Sequence, residues 1–93
     1  MTDSTKTIRF SGHAREQMVR RGASEEEVRE AIRGERWGGA EGGRRDSRKE
    51  FRFDAEWNGR RYATKQVRPV FVEEGGEIVV VTVYVYYVER RPE

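Results

Sequence analysis

His13-Ala14-Arg15-Glu16-Gln17-Met18-Val19-Arg20-Arg21-Gly22-Ala23-Ser24-Glu25-Glu26-Glu27 decides the helical half of this chain. The stretch reads as one helix that stops at a glycine and a second that starts at once. Ser11 stands where an N-cap belongs, its hydroxyl able to accept from an early backbone N–H. Ala14 and Met18, four apart, mark the buried face of a helix running to about Arg21. Gly22 follows the last turn, where a left-handed residue closes a helix. Ser24 and Glu27 have the spacing of a capping box, and Glu25, Glu26 and Glu27 put carboxylates at the positive end of the second helix. Val28, Ala31 and Ile32 then face inward, and Gly34 ends that helix.

Outward from this core, Ile8-Arg9-Phe10 predicts a short strand, and residues 1–6 a frayed polar tail. Residues 34–48 hold five of the ten glycines and read as a mobile loop. Trp37 within it either stacks on a base or packs back as an anchor, with the anchor favoured. The period then becomes two. Phe51, Phe53, Ala55 and Trp57 alternate with Arg52, Asp54 and Glu56, a half-buried strand. Asn58-Gly59 predicts a tight hairpin. The next strand runs from about Arg60 to Val72, and Pro69 inside it predicts an edge position or a bulge. Glu74-Gly75-Gly76-Glu77 makes a turn, and Ile78–Val88, apolar on both faces, predicts a central strand. The order β-α-α-β-β-β gives a single α+β domain, two helices packed on one face of an antiparallel sheet.

Composition narrows the chemistry. The chain has 93 residues, no cysteine and one histidine. Disulfides, thiolate zinc sites and cysteine nucleophiles are excluded, and a histidine-rich metal site or a resident cofactor is not expected. The N-terminus has no signal-peptide pattern, and the apolar run Ile78–Val88 is too short to cross a bilayer as a helix, so a cytoplasmic protein away from membranes is the expectation. Residues 44–68 hold nine basic side chains against four acids, a balance of +5, while the rest of the chain carries −3. A basic middle suits a phosphate backbone, although a solvated sheet face has the same composition.

The candidate site begins with His13, Gln17 and Arg21, at i, i+4 and i+8 on one helix face. Metal-independent RNA cleavage needs a base for the 2′-hydroxyl proton, cations for the developing phosphorane charge, and an acid for the leaving oxygen. His13 could serve as base or acid, and Arg21 could hold the phosphate. Tyr84, or Tyr86 or Tyr87 beside it, could supply a hydroxyl or a stacking ring, and Thr82 a hydrogen bond. Gln17, Arg61, Lys65 and Arg68 complete the RNA-contacting candidates. Each has a structural alternative. His13 could bond a backbone carbonyl, Arg21 could cap the end of its own helix, and at least one tyrosine belongs in the core.

These residues carry a resemblance. His13-Ala14-x-x-Gln17-Met18-x-x-Arg21-Gly22-x-Ser24, with its acidic helix start, resembles the N-terminal motif of an uncharacterised bacterial domain family in the RelE/BrnT-like toxin group. That motif usually reads His-Ala-x-x-Arg-Met-x-x-Arg-Gly-Ile-Ser. Ile78-Val79-Val80-Val81-Thr82-Val83-Tyr84 resembles the family's last strand. Gln17 stands where the family usually has arginine, which removes a cation from the polar line, and Ala23 where it usually has isoleucine. The resemblance implies a RelE-like fold and an endoribonuclease toxin that acts on RNA or the ribosome and is held by an antitoxin protein. The alternative is a non-catalytic RNA- or protein-binding module on the same fold. In either case a sheet surface left uncovered by helices could take a partner or pair two copies as a homodimer.

Overall fold

In a computed structural model that describes residues 6–92, the chain forms two helices against one side of a six-stranded sheet. In chain order the elements are β1 (Thr7–Phe10), α1 (Gly12–Arg21), α2 (Glu25–Gly34), β2 (Gly38–Gly39), β3 (Arg45–Asp46), β4 (Lys49–Trp57), β5 (Arg60–Glu74) and β6 (Glu77–Val88). The class is α+β, with the helices preceding most of the sheet. Residues 1–5 of the expected tail lie outside the described residues. Lys6 is not frayed: its ammonium pairs with Glu73 at 2.8 Å and its carbonyl accepts from Arg33 at 3.1 Å.

The helix boundaries follow from local chemistry. The Ser11 hydroxyl accepts from the Ala14 N–H at 3.0 Å, and Gly22 closes α1 at φ 84° with its N–H on the Met18 carbonyl. Both halves of the Ser24–Glu27 capping box are made. Ala14, Met18, Val28 and Ile32 then join Ile8, Phe10, Val67, Phe71, Ile78, Val80 and Val83 in one buried cluster. Helix α1 lies along β6 and α2 along β5.

The sheet corrects four expectations. First, it is mixed, because β1 pairs parallel to β6 from Thr7↔Glu77 to Phe10↔Val80. The intervening helices supply the crossover that a parallel pairing requires. Second, residues 34–48 are not a structureless loop. Strands β2 and β3 pair there, and β3 continues onto β5 through Arg45↔Phe71 and Asp46↔Val70. Trp37 anchors the segment, donating to the Ile32 carbonyl at 2.7 Å and meeting Phe71 edge-on at 4.9 Å.

Third, Pro69 does not mark an edge. Strand β5 is central, with β6 on one side and β3 and β4 on the other. The Pro69 carbonyl accepts from the Ser47 N–H at 3.3 Å, so its outward side faces the break between β3 and β4. Ser47 stands in register with Pro69, between Asp46↔Val70 and Lys49↔Val67, so the reciprocal ladder bond that proline cannot donate is the one missing where β3 and β4 part. Fourth, β6 does not keep one alternation. Its register against β5 passes from Val70↔Thr82 to Phe71↔Val80, leaving Val81 as an extra, bulged residue. Before the bulge Ile78 and Val80 face the helices; after it Val83 and Val85 do. The apolar run appeared two-faced because its inward side changes parity in the middle.

The Asn58-Gly59 turn is as expected, with φ of 53° and 81°, the twin positive values of a type I′ hairpin.

Candidate nucleic-acid interface

Helices cover one face of the sheet. The other carries Arg68 from β5, with Thr82, Tyr84 and Tyr86 from β6. Tyr84 and Tyr86 lie beyond the end of the β1 pairing, where β6 has β5 on one side only, and remain 37% and 44% exposed.

Three residues meet there. The Arg21 guanidinium lies 5.1 Å from the Tyr84 ring centroid and the Arg68 guanidinium 5.3 Å from the same centroid. Arg21 reaches this face from the helix side by passing the edge of β6, where it donates to the Val83 carbonyl at 2.9 Å. Arg68 is held by Asp46 of β3, 2.7 Å from Nε. That hydrogen bond raises its pKa against the opposing effect of burial, fixing the charge. The two cations differ in a decisive respect. Arg68 is neutralised by a carboxylate, whereas Arg21 has none among the described residues.

The other candidates divide by geometry. Successive residues four apart advance about 40° around a helix, so Arg21 is turned about 80° from His13 toward the core face. His13 accordingly points to solvent, makes no hydrogen bond among the described residues, and lies on no backbone carbonyl. It stands about 12 Å from Arg21 along the axis. The line read as one polar face thus does not converge on one point. Gln17 sits between them, half-buried. Thr82 is half-buried opposite Val70, two residues before Tyr84 along β6 and on the same face.

Arg61 belongs elsewhere. It donates to the Asp54 carbonyl at 2.9 Å in the β4–β5 hairpin, about 23 Å of extended chain from Arg68. Lys65 is a correction. It is 7% exposed, and its ammonium donates to the Gly22 carbonyl at 2.8 Å and pairs with Glu27 at 2.9 Å. It fastens the helix–helix junction to the sheet and offers nothing to a ligand. Its position on the helix-facing side of β5 decides this, because a charge there must find internal partners.

Tyr87 is likewise structural. Its phenol donates to the Arg21 carbonyl at 2.6 Å, and its ring stacks on Trp57 at 4.8 Å. Burial, and secondarily the Glu27 charge, pushes its pKa up to about 12. Sequence reasoning missed the role of Asp46, which the β3–β5 pairing alone brings to Arg68. Among the described residues no cluster of three His, Asp or Glu side chains could hold a metal ion, and no helix is long and apolar enough to cross a membrane. The chain matches no family model, no curated protein and no solved structure.

Proposed function

We propose that this chain binds single-stranded RNA across the outer face of its sheet, with Arg21, Tyr84 and Arg68 at the centre. The observation that carries the reading is Arg21, a guanidinium without a carboxylate partner held against an exposed tyrosine ring. A guanidinium with no carboxylate partner can exchange its carbonyl contact for a phosphate, which it takes through paired N–H donors. Exposed rings such as Tyr84 and Tyr86 take bases by stacking, which tolerates sequence. Arg68, already satisfied by Asp46, keeps Tyr84 in place. The test is titration of a labelled single-stranded RNA dodecamer at about 50 and 200 mM salt. Wild type binds more weakly at the higher salt. Arg21→Ala loses about fivefold or more in affinity and flattens the salt dependence by about one ion. Salt-independent binding, or an Arg21→Ala protein equal to wild type, overturns the reading.

A second reading, metal-independent RNA cleavage by a toxin-like enzyme, is favoured by the exposed His13 imidazole, which no backbone carbonyl occupies. It requires RNA to be cut in the presence of chelator and His13→Ala to leave it intact. RNA bound but never cut assigns the chain to the binding reading.

A further inference from the structure

The edge of β6 beyond its bulge is unpaired. Strand β1 leaves β6 at Phe10↔Val80, while β6 continues to Val88 with β5 on its other side only. Because the Val83 carbonyl points outward to Arg21, the alternate residues Val83, Val85 and Tyr87 direct their backbone groups away from β5. Among the described residues, Arg21 on the Val83 carbonyl is the single hydrogen bond that reaches them.

Edges of this kind are normally protected by a charge, a proline or a covering element. Residues 82–88 contain no charge and no proline. The side chain that reaches the edge is instead a cation. Arg21 reaches the edge at the Val83 carbonyl and meets no carboxylate among the described residues.

We propose that the β6 edge at Val83, Val85 and Tyr87 accepts an extended acidic segment of a partner protein as an added strand, which takes the Val83 carbonyl from Arg21 and offers that guanidinium a carboxylate. Backbone pairing supplies the affinity in this mode, and the alternating side chains supply the selectivity. Two copies of this chain pairing edge to edge would bring like charges together, which disfavours a second copy as the occupant. Docking does not depend on RNA being the ligand of the outer face.

The experiment follows backbone amide exchange of the labelled full chain by NMR, with a blocked heptapeptide alternating glutamate and valine as the probe. In the free protein the Val83, Val85 and Tyr87 amides exchange fast, while those of Tyr84 and Tyr86, directed at β5, are protected. The probe protects the first three selectively. A lysine–valine counterpart does not, and Arg21→Glu weakens the acidic probe about fivefold. Absence of protection at millimolar probe, or equal protection by the basic peptide, overturns the proposal. So does protection of the free protein that rises with its own concentration, which would assign the edge to a second copy.

Discussion

The Tyr87 phenol donates a 2.6 Å hydrogen bond to the carbonyl oxygen of Arg21, joining the last turn of α1 to β6 across 66 residues of chain. That carbonyl is one of the acceptors a helix leaves unpaired at its C-terminus. The same junction holds Gly22, whose own carbonyl is taken by Lys65, and places Trp57 against the Tyr87 ring. The point where the sequence stops one helix and starts another is thus where the two layers of the fold are fastened.

Replacing Tyr87 by phenylalanine removes the hydrogen bond and keeps the ring. The expected cost is about 1–2 kcal/mol, since the Arg21 carbonyl is left without its partner. Urea denaturation compared with wild type measures it, and an unchanged midpoint would show that water replaces the phenol at no cost.

Stability falls with alkaline pH through the same group. In the unfolded chain a tyrosine releases its proton near pH 10, whereas in the fold Tyr87 holds it to about 12. Between these values the unfolded chain binds fewer protons than the folded one, so stability decreases as pH rises. Tyr87→Phe removes this contribution. A chemical-denaturation series from pH 9 to 12 should therefore fall more steeply for wild type than for the variant.

Gly22→Ala and Gly42→Ala separate backbone strain from crowding. Both glycines have positive φ, 84° and 72°. A β-carbon at Gly22 would lie 2.5 Å from the Tyr87 hydroxyl oxygen and 2.9 Å from the Trp57 ring, whereas at Gly42 it meets nothing within 4 Å. The Gly42 variant should lose about 1 kcal/mol from the left-handed backbone alone. The Gly22 variant should lose about 2–4 kcal/mol, because overpacking is added. Equal shifts in thermal midpoint would mean that the Trp57–Tyr87 stack yields freely.

Lys65→Met and Arg61→Ala contrast two cations that the sequence placed in one group. Loss of the Lys65 ammonium strands Glu27 and the Gly22 carbonyl and should cost about 1–3 kcal/mol. Arg61, exposed in its hairpin, should change stability by less than about 0.5 kcal/mol. Folded Lys65→Met protein should bind RNA as wild type does, since this side chain does not reach the outer face; a selective loss of binding at full stability would contradict its structural role.

The sequence by itself determined the elements whose signals are local. The Ser11 and Ser24 caps, the Gly22 stop and the Asn58-Gly59 turn are settled by interactions a few residues apart. So are the inward stripes of both helices. Tertiary structure decided what depends on residues far along the chain. The parallel pairing of β1 with β6, the bulge at Val81 and the break opposite Pro69 are properties of neighbouring strands, absent from any one segment. The candidate site divides in the same way. His13, Gln17 and Arg21 share a face as letters, yet the 40° drift at each step sends His13 to solvent and Arg21 to the sheet. Lys65 and Arg68 read alike three residues apart, and the opposite sides of a strand that they occupy make one a fastening of the core and the other part of an open surface.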